Sequence, residues 1–223
     1  KVFHAWESTS QGLAAHEVVG PPLETRLFEA ATDEARRAIR EKLGLATDAP
    51  LLVILGGSQG ALGLNTFTAA HAQEWVAAGL NVLHQCGPGR LSEGAGSLAG
   101  YLAVEFIDDV PAVLACADLA LARAGASTVA EIGAARLPAI FVPHPASPDR
   151  HQHKNAALLG DGARVVDQAE LGSDFAAELL KLAGSGGTAE RERMSEALAG
   201  AVPSGGAGRV AAGLVELSQA VKS

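Results

Sequence analysis

Two glycine-rich segments in the first half of the chain follow apolar runs that are typical of buried strands. Gly56–Ala61 comes directly after Leu51–Leu55, and His84–Gly89 follows a second run that begins at Asn81. Glycines at such a turn let backbone N–H groups approach a phosphate, and the Ser58 hydroxyl adds a donor beside the positive end of a helix. The first segment is neither a dinucleotide fingerprint nor a Walker A loop. A tight turn that serves packing alone explains either segment, so both interpretations stay open.

The richest segment, Arg123–Glu131, also follows an apolar run. Gly125 permits a sharp turn, Ser127 or Thr128 can cap the helix that follows, and the N–H groups of a helix start suit a diphosphate. Glu131 lies one turn further on, where its carboxylate can accept hydrogen bonds from two ribose hydroxyls. The alternative is a capping box from Thr128 to Glu131, in which the glutamate bonds back to the cap residue.

Polar side chains cluster in a fourth segment, near the start of another helix. His144, His151 and His153 suggest a metal, but His151 and His153 are two residues apart on a helix and face different ways. No carboxylate completes a ligand set, so we predict no metal. Imidazole and amide groups suit a sugar better, which makes His151, Gln152 and Asn155 candidate sugar ligands. A solvated polar helix start is the alternative.

Apolar runs bounded by Pro and Gly alternate with helical patterns from residue 51 to residue 166. Strands that alternate with helices predict a parallel sheet with helices on both faces, a Rossmann-like α/β fold. Ligands bind such a sheet at the carboxyl ends of its strands, where the four segments lie. The predicted strands are Leu51–Leu55, Asn81–His84, Ala103–Phe106, Leu119–Ala122, Ala139–Val142 and Arg164–Val166. The predicted helices are Thr32–Leu43, Leu62–Ala78, Val110–Ala117, Thr128–Ala135 and Gln152–Leu159, with further helices after Leu171.

Composition narrows the class of protein. Of 223 residues, 48% are hydrophobic and 19% charged, so the chain is expected to fold. Asp and Glu outnumber Lys and Arg by 25 to 17, and the formal charge of −8 disfavours a nucleic-acid partner. Cys86 and Cys116 are too few for a disulfide framework and predict buried thiols. No apolar run approaches the roughly 20 residues that cross a bilayer, and no signal peptide is evident, so we expect a cytoplasmic location.

The four segments and their neighbours, in this order, resemble the C-terminal domain of the MurG family, the N-acetylglucosaminyltransferases of peptidoglycan synthesis. The resemblance extends from Val18 to Leu217, and no single motif decides it, but the ordered set is specific. The matching motifs are Gly57–Ala61, His84-Gln85, Phe106–Asp109, Arg123–Ala126, Thr128, Glu131, and His151-Gln152 with Asn155.

The resemblance implies a GT-B fold, of which this chain is the C-terminal, donor-binding half. It implies that the Ile107 backbone pairs with uracil, with Phe106 beside it, and that Glu131 binds the ribose. Ser58, with the helix start formed by Ala126, Ser127 and Thr128, matches the diphosphate contacts. The positions of His151 and Gln152, with Asn155 nearby, match those that hold the hydroxyls of N-acetylglucosamine (GlcNAc).

The implied reaction is transfer of GlcNAc from UDP to the C4 hydroxyl of a lipid-linked muramyl pentapeptide, with inversion and without a cofactor or metal. The family's N-terminal domain carries the acceptor loops and the proposed general base, so we expect no catalytic residue in this chain. Lys1–Trp6 predicts a strand without an initiator Met. We therefore interpret residues 1–20 as the remnant of that domain with the interdomain linker, and 21–223 as the UDP-sugar-binding domain. The full-length protein is expected at the cytoplasmic face of the bacterial inner membrane.

One departure from the family pattern bears on the donor. Where the family usually has Asn-Pro-Val-Arg, this chain has Pro21-Pro22-Leu23-Glu24, so an acid replaces a basic contact near the diphosphate. The alternatives are the donor half of a related GT-B transferase with another acceptor, such as a diacylglycerol, a donor half that works with a second polypeptide, or a non-catalytic nucleotide-binding module.

Overall fold

The computed structural model of the chain describes residues 2–6, 16–91 and 98–220. The strands in these ranges are β1 (Val2–His4), β2 (His16–Val18), β3 (Leu51–Leu55), β4 (Asn81–Gln85), β5 (Tyr101–Val104), β6 (Leu119–Ala122), β7 (Ala139–Phe141) and β8 (Ala163–Val165). The α-helices are α1 (Asp33–Lys42), α2 (Leu62–Ala77), α3 (Val110–Cys116), α4 (Ala126–Ala134), α5 (His151–Ala157), α6 (Ser173–Ala183), α7 (Thr188–Ala197) and α8 (Gly206–Ala220).

Six of the strands form one parallel sheet in the order β5-β4-β3-β6-β7-β8. The chain runs from β3 outward to β4 and β5, then returns past β3 to β6 and continues to β7 and β8. The direction of winding therefore switches between β3 and β6, and open parallel sheets bind ligands at the carboxyl end of this switch point. There the Arg123 N–H donates to the Leu55 carbonyl over 3.0 Å, so the loops after β3 and β6 begin side by side.

Strand β3 is buried along its whole length because helices cover both faces of the sheet. Leu51, Val53 and Leu55 pack with residues of α3 and α4 on one face. Leu52 and Ile54 pack with residues of α2 and α6 on the other face. Each such side chain contributes about 1.5–3 kcal/mol by leaving water, which explains why the run tolerates no polar residue. The predicted α/β class, with helices on both faces, is confirmed.

Several predicted boundaries differ from the structure by one or two residues, and those of β5, α4 and α5 bear on the site. β5 begins at Tyr101 rather than Ala103, because Gly100 at φ +89° turns the chain into the sheet and its carbonyl accepts from the Val82 N–H. Phe106 consequently lies in the loop beyond the strand and is 53% exposed. α4 begins two residues before the predicted Thr128, and α5 one residue before Gln152.

β1 and β2 form a separate two-stranded parallel pair, with Phe3 opposite Glu17. Helix α8 packs on this pair, since a Cβ added at Gly213 would lie 2.3 Å from the Phe3 ring. The Arg209 guanidinium at the start of α8 donates to the Val19 carbonyl over 3.1 Å. The first and last described segments of the chain are thus joined beside the main sheet. The division at residue 20 stays a prediction.

The two cysteines are buried free thiols, as predicted. Burial raises the pKa of the Cys116 thiol to about 11. Burial also raises the pKa of the Cys86 thiol, although this residue lies at the carboxyl end of the sheet. A thiol held in its neutral form is a poor nucleophile, so both cysteines serve packing.

Candidate functional site

The loop after β3 presents backbone donors at the switch point. Gly57 and Gly60 adopt φ of +79° and +67°, and the Gly60 N–H donates to the Gly57 carbonyl to close a turn. Ser58 is exposed at the tip of this turn. Within the described part of the chain, the N–H groups of Gly57, Ser58 and Gln59 have no hydrogen-bond acceptor. These three donors belong to an exposed turn, where an anion can accept from them.

Gly57 and Gly60 differ in what they indicate about the segment, which could serve packing or binding. A Cβ at Gly60 would lie 1.9 Å from the Cys86 carbonyl oxygen, so glycine is required there for packing. A Cβ at Gly57 would meet nothing within 4 Å. Gly57 is needed only for its left-handed backbone, which turns the N–H groups of the loop outward. The packing interpretation therefore holds at Gly60, whereas phosphate binding by the turn stays a prediction.

Helix α4 starts directly after β6, on the other side of the switch point. Its N-cap is Gly125, and no side chain caps it. The predicted capping by Ser127 or Thr128 is therefore wrong, because Ala126, Ser127 and Thr128 are already helical. The capping box from Thr128 to Glu131 is wrong for the same reason. The first N–H groups of α4 consequently have no intrahelical acceptor and carry the positive end of the helix dipole.

Glu131 lies one turn into α4 and is half-buried. Burial raises the pKa of its carboxyl group above the ordinary value. Among the residues that the structure describes, no side chain or backbone group donates a hydrogen bond to this carboxylate. A half-buried acid that meets no donor in its own chain loses hydration, and a ligand that donates hydrogen bonds restores what is lost.

Arg123 is buried between the loops that follow β6 and β7. Its guanidinium donates to the carbonyls of Val142 and Pro143 over 2.8 and 3.0 Å, and to the side chain of Gln168. Its Nε has no hydrogen-bond partner in the described ranges, and desolvation lowers the pKa of the group. No acid of the described residues neutralises it. Arg123 belongs to the Arg123–Ala126 motif, but the motif alone assigns it no role. A cation inside an apolar run is the signal that identifies it.

The loop after β5 carries Phe106 and Ile107. Phe106 is exposed, whereas the Ile107 side chain packs on the core face that also holds α4. The backbone N–H and carbonyl of Ile107 bond to nothing in the described ranges. Asp109 ends the loop, where it caps α3 and accepts from Arg26 over 3.1 Å. Arg26 also bonds to Glu24, so the acid that departs from the family pattern is paired with this arginine.

The polar segment before and within α5 is held by its own side chains. The Ser147 hydroxyl accepts from the Gln152 N–H, and the Gln152 Oε1 accepts from the His144 N–H over 2.8 Å. His151 Nδ1 lies 2.9 Å from the Pro148 carbonyl, so in the neutral ring Nδ1 carries the proton and Nε2 is an acceptor. The Gln152 amide nitrogen and His151 Nε2 remain available to a ligand.

Backbone strain accompanies this segment. Asp149 and Arg150 adopt φ of +50° and +52°, the left-handed region that residues other than glycine rarely occupy. Two consecutive residues in this region cost stability and mark segments whose shape serves a function. His153 faces away, since its Nε2 lies 3.2 Å from an Asp167 carboxylate oxygen. Among the described residues, no three potential metal ligands lie together.

Two of the predicted sugar and phosphate segments are in direct contact. The Asn155 side chain on α5 donates from Nδ2 to the Ala124 carbonyl over 3.0 Å, just before α4 begins. Ser58, the start of α4 and the α5 segment thus lie in loops that follow the neighbouring strands β3, β6 and β7, at the switch point, where sheets of this kind form a binding crevice. Phe106 and Ile107 lie further out, at β5, the edge strand of the sheet.

The sequence patterns miss one residue beside the crevice. Asn65 in α2 donates from Nδ2 to the Cys86 carbonyl over 2.9 Å and accepts from His84 on β4 over 3.0 Å. Asn65 lies in the first turn of a helix that follows a glycine-rich loop, four residues after Ala61. A polar residue at such a position is the sequence signal that could have identified it.

The fold is that of the C-terminal half of a GT-B glycosyltransferase. MurG from Acinetobacter baumannii superposes with a TM-score of 0.62 over 90% of this chain and 55% of that chain, at 28% identity. The calicheamicin glycosyltransferase CalG4 shows the same fold, with a TM-score of 0.63 over 93% of this chain and 49% of that chain, at 24% identity.

The chain belongs to the family described as glycosyltransferase family 28 C-terminal domain, whose model matches residues 51–204. The resemblance to the MurG family is confirmed by curated relatives named UDP-N-acetylglucosamine--N-acetylmuramyl-(pentapeptide) pyrophosphoryl-undecaprenol N-acetylglucosamine transferase. The relative from Mycolicibacterium smegmatis is 38% identical over 174 residues, 76% of this chain and 45% of its own length. The relative from Frankia casuarinae is 36% identical over 184 residues, 79% of this chain and 49% of its own length. The chain spans about half the length of these relatives.

Proposed function

We propose that the chain is the donor-binding half of an inverting glycosyltransferase, which transfers GlcNAc from UDP-GlcNAc to a lipid-linked muramyl pentapeptide in peptidoglycan synthesis. One observation carries the proposal. At the switch point, the unbonded N–H groups of the exposed Ser58 turn and the uncapped start of α4 follow two paired strands, β3 and β6, and α4 also carries a half-buried acid, Glu131, that has no donor among the described residues. This arrangement offers an anion site and an acceptor for hydroxyls, the two requirements of a nucleoside diphosphate.

The diphosphate is assigned to two rows of backbone N–H groups, the first in the Ser58 turn and the second at the start of α4. Ser58 and its neighbours donate from one side, and Ala126, Ser127 and Thr128 donate from the other. Arg123 lies behind the second row and adds a positive charge that no acid of the described residues cancels. Charge develops on UDP as the glycosidic bond breaks, and fixed dipoles of this kind stabilise it without reorganising.

The nucleoside is assigned to the crevice between α4 and the loop after β5. The Glu131 carboxylate accepts from two ribose hydroxyls, which replaces the hydration it lost on burial. Uracil presents one N–H donor next to carbonyl acceptors, which complements the unbonded N–H and carbonyl of Ile107. The exposed Phe106 ring flanks the base.

The sugar is assigned to the α5 segment, where several polar groups point outward. His151 Nε2 accepts from a hydroxyl, and the Gln152 amide nitrogen donates to another. Asn155 holds this segment against the start of α4, which keeps the sugar subsite at a fixed distance from the diphosphate subsite.

The chemistry proposed for this half is stabilisation of the leaving group. Inversion at the sugar carbon requires a base that takes the acceptor proton, and we place that base in a further domain rather than in this chain. Backbone dipoles and Arg123 supply the positive charge, so the proposal includes no metal or other cofactor. We expect UDP affinity to be the same in EDTA and in millimolar Mg²⁺.

The whole protein is proposed to act at the cytoplasmic face of the bacterial inner membrane, where a lipid-linked acceptor is found. The described part of the chain has no helix that is both long and apolar enough to cross a bilayer. The proposal places membrane attachment in the acceptor-binding domain of the whole protein and the UDP-sugar site in residues 21–223. The expected partners are a UDP-sugar and a lipid-linked acceptor, and no nucleic acid.

Calorimetric titration of the chain with UDP-GlcNAc, UDP-glucose, NAD and ATP tests the donor assignment. We expect UDP-GlcNAc to bind, UDP-glucose to bind more weakly, and NAD and ATP not to compete. A preference for NAD or ATP would contradict the proposal. With lipid acceptor added, the chain should release no UDP, and turnover would show that the base lies within it.

A further inference from the structure

A chain of hydrogen bonds connects three side chains behind the first glycine-rich loop. The Tyr101 hydroxyl lies 2.9 Å from His84 Nδ1, and His84 Nε2 lies 3.0 Å from Asn65 Oδ1. Asn65 Nδ2 donates to the Cys86 carbonyl over 2.9 Å. Three secondary-structure elements, β5, β4 and α2, are tied together by these contacts.

The direction of every bond in this chain is determined by Asn65. Its Nδ2 must face the Cys86 carbonyl, because a carbonyl only accepts, so its Oδ1 faces His84. His84 Nε2 therefore carries the proton, and the bare Nδ1 accepts from the Tyr101 hydroxyl. Each member of the chain has a donor matched to an acceptor, which is the condition for a rigid buried network.

The far end of this chain is the point where the two glycine-rich loops meet. The Cys86 carbonyl is so close to Gly60 that a Cβ there would lie 1.9 Å from the oxygen, and a Cβ at Gly87 would lie 2.5 Å from the Gly60 nitrogen. The second loop is held again at Gly89, whose N–H donates to Glu105 over 2.8 Å. The second loop is thus held in place, and the turn that contains Ser58 packs against it.

We propose that Asn65 and His84 are positioning residues for the donor diphosphate, and that they act by fixing the Cys86 carbonyl against Gly60. Neither side chain touches the donor in this account. They hold the outward N–H groups of Gly57, Ser58 and Gln59 in the geometry that receives the phosphates. The inference rests on the proposed function, because it names the residues that order the diphosphate subsite. It also gives the His84–Gly89 segment a role beyond that of a plain turn.

The test compares the binding of uridine with the binding of UDP, since only UDP uses the ordered loop. In Asn65→Ala we expect UDP affinity to fall about tenfold, the effect of losing one or two hydrogen bonds, and uridine affinity to stay within about twofold. Calorimetry measures UDP and NMR titration measures uridine. In Tyr101→Phe, which removes only the outer member, we expect a smaller loss in the same direction, about threefold for UDP.

Asn81→Ala is the matched control, because the side chain of Asn81, like that of Asn65, donates from Nδ2 to a carbonyl, here that of Ala46 over 2.7 Å. It lies at the amino end of β4, away from the crevice, so its loss should lower the melting temperature and leave the ratio of uridine to UDP affinity unchanged.

Three outcomes separate the inference from the proposed function. If wild type binds neither uridine nor UDP, the proposed function fails. If wild type prefers UDP but Asn65→Ala weakens uridine and UDP equally, the positioning role is overturned. A ratio change in Asn81→Ala as large as that in Asn65→Ala would also overturn it, because general destabilisation would then explain both. If Asn65→Ala does not fold, Tyr101→Phe decides between the outcomes.

Discussion

Asn155 donates a hydrogen bond from its side chain to the backbone carbonyl of Ala124, 31 residues earlier in the chain. The bond joins α5 to the turn that leads into α4 and therefore connects the proposed sugar subsite with the proposed diphosphate subsite. One of the two Nδ2 hydrogens is used in this bond, so the second hydrogen and the Asn155 Oδ1 remain for a ligand. The predicted sugar ligand thus has a structural role that its sequence motif does not reveal.

Replacing Asn155 should lower both stability and donor affinity. Asn155→Ala leaves the carbonyl of the buried Ala124 without its donor, and we expect the free energy of unfolding to fall by about 1 kcal/mol. Asn155→Asp should cost more, because a carboxylate oxygen then faces the Ala124 carbonyl. Urea denaturation measures the first effect, and titration with UDP-GlcNAc and UDP measures the second, which should be larger for UDP-GlcNAc. Lys154→Ala, on the exposed side of the same helix, is the control; an equal loss there would refute the assignment.

Glu131→Gln should raise stability while it removes binding. Burial raises the pKa of this carboxyl group, so the folded chain favours the neutral acid and its stability falls as the pH rises through the raised pKa. Glutamine avoids that loss. The melting temperature of Glu131→Gln should therefore equal or exceed that of wild type at pH 7.5, and the difference should vanish in acid below the ordinary carboxyl pKa.

Uridine-nucleotide affinity of Glu131→Gln should fall by at least about tenfold, since a hydrogen bond from a ribose hydroxyl to a charged acceptor contributes about 1.5–3 kcal/mol. Glu216→Gln, an exposed acid on α8, should change neither quantity. Unchanged UDP binding in Glu131→Gln would show that this residue does not contact the nucleotide. The capping box would not explain Glu131 in that case either, because Gly125 takes the N-cap position.

The pH dependence of stability should report on His84. Burial lowers its pKa from 6.5 to about 4, so between these values the unfolded chain binds a proton that the folded chain does not. Stability therefore falls as the pH drops through this window, by about 3 kcal/mol in total, since one pKa unit corresponds to about 1.4 kcal/mol. His84→Gln should show a shallower decline in denaturation midpoint between pH 7 and pH 4.5. A decline parallel to that of wild type would contradict the prediction, and His71→Gln serves as the control.

The sheet and its switch point could be predicted from sequence because they depend on local signals. Leu51–Leu55 is an uninterrupted apolar run between Pro50 and Gly56, and only a strand covered on both faces fits it. The loops after such strands must lie at one edge of the sheet, so the sequence alone predicts that Ser58 and Glu131 lie near each other.

What could not be predicted depends on contacts between distant residues. Thr128 satisfies every local rule for a cap, yet the chain leaves β6 already turning, and Gly125 takes the cap position instead. The partnership of Asn65 with His84 joins residues 19 apart on different elements, and no spacing rule encodes it. The strain at Asp149 and Arg150 is likewise a product of packing, because neither residue favours the left-handed region enough to reveal it.

Gly57 and Gly60 provide a matched pair that separates binding from folding within one turn. Both have positive φ, so alanine at either position costs roughly 1 kcal/mol of backbone strain. At Gly60 the added Cβ would also collide with the Cys86 carbonyl, a backbone atom that cannot move aside, and overpacking adds about 1–3 kcal/mol. At Gly57 the added Cβ would meet nothing within 4 Å of it in the protein.

We therefore expect Gly60→Ala to lower the free energy of unfolding well beyond the loss in Gly57→Ala, as measured by urea denaturation. In Gly57→Ala the methyl group stands beside the outward N–H row, so UDP affinity should fall although the fold survives. Equal losses of stability in the two variants would mean that the loops do not meet at Cys86. Full UDP affinity in Gly57→Ala would mean that the phosphates do not approach this turn, and the diphosphate would then rest on the start of α4 alone.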